Sequence, residues 1–272
     1  MAGRFEGRRV VVTGSSRGIG AGIAERMAAE GADVVITART LDKHDHLAGS
    51  LKETAARLEG YGGKVGIVVA DLTDEADRAR VIPEAADALG GPVEILVNNA
   101  AASIQKPLTG FSVKRRNIMF EANVNAPLDL ALAAAPAMIE AGEGWIVNLS
   151  SGSAKLWPGP PEPFAPTALN IAAYGASKAA LNRITNGLAM ELYGTGVRVN
   201  TVEPRAAVLS EGAAELVGAT LRPDQIESME AMVEGTVHLC DCPADLTGQV
   251  TVSLDNIEQF GLTVHNLDGT PQ

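Results

Sequence analysis

The feature that most limits this chain is an alternation repeated from end to end. Short apolar runs, "RRVVVTG", "ADVVITA", "KVGIVVAD", "VEILVNN", "GWIVNLSS", "VRVNTVEP" and "QVTVSL", are separated by amphipathic, alanine-rich stretches. Those stretches, such as "IAERMAAEG", "LKETAARLEG" and "LNRITNGLAMELYG", close on glycine, as helices commonly do. Runs that are apolar throughout, rather than at every second residue, belong to strands buried on both faces. The alternation therefore predicts seven strands in repeated βαβ units, an α/β doubly wound parallel sheet of the Rossmann type. No internal repeat or low-complexity linker interrupts it. At 272 residues with 46% hydrophobic positions, the chain suits one domain over 1–272. Two irregular stretches, about 152–170 and about 205–272, are where substrate specificity is expected to lie.

Composition narrows the partners. A net charge of −11 repels nucleic acid and anionic membranes at long range, so a small-molecule substrate is expected instead. The longest apolar stretch, "LDLALAAAPAMI", is too short to span a bilayer and carries Asp129 and a proline. The N-terminal "MAGRFEGRRVVVTG" shows no export signal. Cys240 and Cys242 stand too close together for an ordinary disulfide and suit a reducing cytosol, so the expected location is cytoplasmic. His238 near those cysteines and the "KHDH" at 43–46 read as a helix end and a helix start, and no metal is expected.

"VVVTGSSRGIGAGIAERMA" sets Gly14, Gly18 and Gly20 between the first strand and the first helix. Glycines there let the backbone turn sharply and approach a pyrophosphate, which sits on the helix N-terminus. The second strand ends "ITART", with Ala38 and Arg39 where NAD-preferring folds usually offer a carboxylate to the ribose 2′-OH. Arg17, inside the glycine turn, supplies a second guanidinium, and arginine suits a 2′-phosphate through its fork of donors. The expected cofactor is NADP(H), with NAD(H) as the alternative.

Tyr174 and Lys178 are four apart in "YGASK", so on a helix they share a face. A lysine cation beside a phenol favours the phenolate, and an oxidised nicotinamide would add a second positive charge. Moving a phenol from about 10 to neutrality takes roughly 4 kcal/mol of differential stabilisation. An isolated pair at this spacing arises by chance in many helices, so context must decide.

"TGSSRGIG", "NNAA", "IVNLSS" and "YGASK", in this order, resemble the classical short-chain dehydrogenase/reductase family over about residues 7 to 204. The resemblance implies an enzyme with Tyr174 as acid/base, Lys178 binding the nicotinamide ribose, and Ser151, rather than Ser150 or Ser153, steadying the substrate oxygen. It also implies Asn123 in "FEANVNAPLDL" as a fourth catalytic residue, whose carbonyl holds a water that relays protons toward the lysine. Pro127 lies four residues later and has no N–H to bond that carbonyl. By the same resemblance Gly14, Ser16, Arg17, Gly18, Ile19, Gly20, Arg39, Asp71, Leu72, Asn99 and Ala100 contact the cofactor together with Tyr174 and Lys178. A homotetramer, or failing that a dimer, built on the helices around 115–140 and 172–193, is implied as well.

Two departures from the family pattern stand out. "NNAA" puts Ala101 where a glycine is usual, and "PR" puts Arg205 where the family has glycine. The implied reaction is hydride transfer between the nicotinamide and a secondary alcohol or ketone. A 3-oxoacyl-thioester reductase is an alternative, with Lys155 and Arg205 as cations for a carrier's phosphates. A catalytically silent NADP(H)-binding sensor is the alternative from another class, and an epimerase or dehydratase of the extended branch is disfavoured by the glycine spacing and the short C-terminal region. Prolines from Pro158 to Pro166 deny the stretch between Ser151 and Tyr174 a helix or a paired strand. That stretch is expected to arch over the site, with Trp157 and Phe164 either as substrate contacts selecting bulky apolar (steroid-, terpenoid- or aryl-like) ketones or as anchors that hold the loop to the body of the domain.

Overall fold

The computed structural model describes residues 3–42, 48–156, 170–210 and 222–272. All seven apolar runs are strands of one parallel sheet: β1 (Arg9–Thr13), β2 (Asp33–Ala38), β3 (Val65–Val69), β4 (Ile95–Asn98), β5 (Gly144–Leu149), β6 (Val197–Glu203) and, at one edge, β9 (Val250–Val252). Their order is β3-β2-β1-β4-β5-β6-β9. The order reverses direction beside β1, which opens a crevice beyond the C-terminal ends of β1 and β4, the place where such sheets take ligands. The expected single Rossmann-type domain with seven strands is the observed fold. A two-residue pair that the sequence pattern did not announce, β7 (Ala207–Val208) with β8 (Ile226–Glu227), forms a second small parallel sheet.

Helices cover both faces, and the core divides accordingly. On one side Val10, Val12, Val34, Ile36, Val97 and Val147 pack with α1 (Gly18–Ala29), α2 (Leu51–Leu58) and α7 (Met229–Val237). On the other, Val11, Val35, Leu96, Ile146 and Val199 pack with α3 (Glu75–Leu89), α5 (Ala126–Ala141) and α6 (Ala172–Glu191). Alternate residues of each strand feed opposite clusters, which is why the strands read as unbroken apolar runs. The remaining helices are α4 (Val113–Phe120), which leads through a turn at Glu121–Asn125 into α5, and α8 (Ser253–Phe260) after the edge strand.

Inside the second cluster runs a polar chain that fixes the sheet to α6. Asn98 Nδ2 donates to Asn148 Oδ1 at 2.9 Å, and Asn148 Nδ2 donates to Thr185 Oγ1 at 2.8 Å. Asn98 and Asn148 are register partners on β4 and β5. Each partner is buried, so the chain holds only because its donors meet acceptors.

Candidate active site

The glycine turn is built by close approach. Gly14 (φ +66°) and Gly18 (φ +57°) occupy the left-handed region that favours glycine. A Cβ on Gly20 would stand 2.3 Å from Asn99 Nδ2, and one on Gly14 would stand 2.7 Å from Ala100 Cα. The same Asn99 amide donates to the Thr13 and Gly14 carbonyls at 2.8 and 3.1 Å, while the Asn99 and Ala100 N–H groups donate to Thr13 Oγ1. Asn99 and Ala100 thus staple the end of β4 to the turn after β1. The first turn of α1 has no side-chain cap and no acidic residue, so its N–H groups and positive dipole end remain free for an anion. That cradle fits the pyrophosphate of a dinucleotide. Ser16 is buried within it, and Ile19 packs against the core.

The two arginines separate in role. Arg17 donates through Nε and Nη2 to the Ala48 and Gly49 carbonyls, both at 2.8 Å, and so ties down the loop after β2. Sequence spacing had placed its guanidinium beside Arg39; the demand of two backbone acceptors takes it instead. Arg39 is 71% exposed at the end of β2, with Nη1 3.7 Å from Asp71 Oδ2. Asp71 also accepts from the Thr73 N–H and hydroxyl, at 2.9 and 2.8 Å. Leu72 is buried beside it, and its carbonyl accepts from Arg78.

Ser151, Tyr174 and Lys178 come together at the C-terminal end of β5. Lys178 is 2% exposed, and its ammonium donates to the Leu149 carbonyl at 2.7 Å. Its Nζ lies 5.8 Å from the centre of the Tyr174 ring. Ser151 Oγ accepts from the Ser153 N–H (3.2 Å) and lies 2.9 Å from Ser153 Oγ, which donates to it. Ser150 is buried, and its hydroxyl has no hydrogen-bond partner among the described residues. A Cβ on Gly175 would be 2.3 Å from the Ser153 carbonyl, so only glycine lets α6 close on the loop that carries Ser151.

Electrostatically the pair differs from the sequence expectation. Burial pushes the Tyr174 phenol up to about 12, with the Ser151 hydrogen bond pulling weakly the other way. Burial likewise pulls the Lys178 ammonium down to about 8. Desolvation, which penalises whichever form is charged, is the first cause of both shifts and outweighs the Ser151 hydrogen bond at the phenol.

Asn123 is fully buried in a π-helical turn, Glu121–Asn125, immediately before Pro127. The Ala126 N–H reaches back five residues to the Glu121 carbonyl, so the ladder is widened where the proline lacks a donor. The Asn123 side chain accepts from the Ala102 N–H (2.7 Å) and donates to the Ala102 carbonyl (2.9 Å) and to Ser177 Oγ (3.0 Å). Ser177 in turn donates to the Tyr174 carbonyl at 2.7 Å. Sequence reasoning passed over Ser177; its place three residues after Tyr174, inside "YGASK", is the signal that could have found it.

Beside this constellation is a largely apolar cavity of about 620 Å³, bounded by Pro107–Thr109, Ser153–Leu156 and the α6 face of Ala172, Gly175, Ala176 and Ala179. Neither Ser151 nor Tyr174 lines it. Trp157 and Phe164, the expected substrate contacts, lie outside the described residues. Ala101 is exposed. Lys155 pairs with the buried Glu203 at 2.7 Å, and Arg205 pairs with Asp255 and Glu258.

A model of the short chain dehydrogenase family matches residues 8–217. The chain belongs to that family. A curated relative, hydroxysteroid dehydrogenase-like protein 2 of Danio rerio, is 30% identical over 271 residues, 96% of this chain but 60% of the relative. The chain thus spans less than two thirds of that relative's length. Among solved structures, a short chain dehydrogenase from Burkholderia cenocepacia in complex with NADP is 29% identical, covering 92% of this chain and 97% of that one, with a TM-score of 0.75. A 3-oxoacyl (acyl-carrier-protein) reductase from Agrobacterium tumefaciens with NADP bound is 26% identical, covering 91% and 93%, with a TM-score of 0.77.

The buried lysine makes a pH-dependent prediction. With a folded value near 8 against an ordinary 10.5, the unfolded chain keeps its proton after the folded one has released it. The cost of burying the charged form is therefore full below pH 8 and is relieved between pH 8 and 10.5. Lys178→Met removes a titrating group, so the stability of the variant relative to wild type should be highest at pH 7 and decline by pH 10. Urea unfolding at both values measures this, and a difference unchanged with pH would refute it.

Proposed function

We propose that the chain is an NADP(H)-preferring reductase or dehydrogenase acting between a secondary alcohol and a ketone, with Tyr174 as the general acid/base. The observation that carries this reading is the convergence of Ser151, Tyr174 and Lys178 at the end of β5, on the edge of the sheet where the glycine cradle also opens. When bound, the nicotinamide supplies or takes the hydride. The protein's share is to position and to move a proton. Ser151 Oγ, held by Ser153, steadies the substrate oxygen next to the phenol. Tyr174, whose phenol holds its proton at neutral pH, delivers that proton to the developing alkoxide. Lys178 stands behind the ring, and Asn123 locks Ala102 and the first turn of α6 through Ser177, so that the phenol is aimed rather than free. Gly14, Ser16, Gly18, Ile19, Gly20, Asp71, Leu72, Asn99 and Ala100 form the dinucleotide cradle.

Preference for NADP(H) is supported by Arg39, exposed just past β2, a strand that itself ends without a carboxylate, and by the NADP-bound relatives. Arg17 contributes indirectly, by fixing the 48–49 loop next to it. For the substrate, the name of the curated relative and the apolar cavity favour a bulky apolar ketone. The 3-oxoacyl-thioester alternative has a solved relative behind it, but Lys155 and Arg205 are neutralised by Glu203, Asp255 and Glu258 and are not free for a carrier's phosphates. The silent-sensor reading is disfavoured because the four polar groups of the site are all mutually positioned. A homo-oligomer, a tetramer by preference, is supported by exposed apolar residues on α5 and α6, among them Leu132 (52%) and Met190 (71%).

Three outcomes follow. Tyr174→Phe keeps the ring but removes the proton donor, so kcat on a panel of steroid, terpenoid and aryl ketones should fall by about 10² or more while NADPH still binds. Near-native turnover would sink the assignment. NADPH should exceed NADH in kcat/KM by about tenfold, the value of one charge-assisted contact, and Arg39→Ala should erase most of that gap. Equal kcat/KM for the two cofactors in the wild type overturns the preference. Light scattering at micromolar concentration should give a mass of four chains, or of two; a single-chain mass would count against the oligomer.

A further inference from the structure

Two neighbouring residues of β6 hold the chain on either side of Ser151. The Val202 carbonyl accepts from the Ser150 N–H at 2.8 Å, which carries the pairing of β5 with β6 up to the residue before the serine. Glu203, the next residue of β6, grips the far side: its Oε1 lies 2.7 Å from the Lys155 ammonium. Between these two holds stand only Ser151 and the turn Gly152–Ala154. The turn is closed by its own backbone, with the Ala154 N–H on the Ser151 carbonyl (2.9 Å) and the Lys155 N–H on the Gly152 carbonyl (3.2 Å). Fixing Lys155 therefore helps to fix Ser153, whose N–H and hydroxyl donate to Ser151 Oγ.

The carboxylate that does the gripping is deeply placed. Glu203 is 1% exposed, yet among the described residues Lys155 is the sole partner of its carboxylate, and Oε2 has none. A buried carboxylate without its cation bears the full cost of desolvation, whereas an exposed lysine loses little by leaving an ion pair. The demand is one-sided. It is the buried strand end that needs the cation, and the 67% exposed lysine side chain is drawn to it. The backbone beyond Glu203 is fixed as well. Buried Glu227 accepts from the Arg205 and Ala206 N–H groups at 2.8 and 3.4 Å and from the Ser253 hydroxyl, which ties the chain leaving β6 to the start of α8.

We propose that Glu203 and Lys155 are positioning residues for Ser151: the buried carboxylate draws in the lysine, and with it the turn whose Ser153 orients the Ser151 hydroxyl. This rests on the reading of Ser151 as the group that steadies the substrate oxygen. The pair acts through that serine, without contact with the reacting atoms.

Reduction of whichever ketone of the steroid, terpenoid and aryl panel the wild type turns over fastest, in wild-type and Ser151→Ala backgrounds, tests it. Lys155→Met strands the buried carboxylate, so kcat should fall by at least about tenfold while the Kd for NADPH stays within about twofold. Lys155→Arg should keep at least about half of the wild-type kcat, because a guanidinium also pairs with a carboxylate. Glu203→Gln strands no charge and should lose less than Lys155→Met, and combining the two should recover part of the loss. In the Ser151→Ala background Lys155→Met should change kcat by less than about twofold, since the group it acts through is already gone. Amide exchange at Ser153 and Ala154 should quicken by about fivefold or more in Lys155→Met. An equal loss of kcat in both backgrounds would mean general loosening and overturn the proposal, as would wild-type kcat in Lys155→Met or unchanged exchange at Ser153. A change confined to KM also overturns it, because Lys155 lines the cavity and would then be a substrate contact. Wild-type turnover by Ser151→Ala alone would instead overturn the reading of Ser151 on which the proposal rests.

Discussion

A lysine ammonium inside a protein stays there only if something nearby accepts its hydrogens, and in this chain the acceptor is the carbonyl that ends β5. Much of the site's geometry depends on that one contact. It brings α6 down onto the sheet edge, which requires Gly175 to pass the Ser153 carbonyl without a side chain. Ser153 is then in place to donate to Ser151, and Ser151 to meet Tyr174. The buried chain from Asn98 through Asn148 to Thr185 supports the same helix two turns further along. Fold and site are therefore not separate layers, since the hydrogen bonds that seat α6 also set the distance between serine and tyrosine.

The strands were legible because parallel strands buried on both faces leave an unmistakable signature of unbroken valine and isoleucine. The glycine turn was legible for a similar reason: Gly14 and Gly20 stand where a Cβ would strike Asn99 and Ala100, and no other residue type serves. What spacing could not show was competition for donors. Arg17 sits in the turn as read, yet its guanidinium is claimed by two carbonyls of the following loop. Lys155 and Arg205 were visible as cations, but their carboxylate partners, Glu203, Asp255 and Glu258, lie roughly fifty residues away along the chain. Ser177 was hidden in plain view, because a serine between Tyr174 and Lys178 looks like filler until Asn123 is found donating to it.

Asn123 illustrates how one local defect is made into a positioning device. Proline at 127 cannot donate, and a helix facing that loss either kinks or widens. Here it widens into a π turn, which places the Asn123 side chain against both backbone groups of Ala102. Ala102 lies three residues after Asn99, so the segment that staples the glycine turn is gripped from its other end by the helix that approaches Tyr174. A single missing N–H thereby couples the glycine turn to the first turn of α6, which carries Tyr174.

The protonation states carry the last step. A phenol pushed up to about 12 by burial holds its proton across the physiological range, which makes it a ready donor and a poor base. A lysine drawn down to about 8 is charged at neutral pH but close to losing that charge in mild alkali. In the proposed reaction these surroundings favour giving a proton to an alkoxide over taking one from an alcohol. Running the proposed reaction as an oxidation would require a positive charge close to the ring, enough to offset a desolvation that the Ser151 hydrogen bond does not offset. If Tyr174 takes the proposed role, reduction asks less of these residues than oxidation does, and that asymmetry follows from how deeply the chain buries Tyr174 and Lys178 rather than from which residues they are.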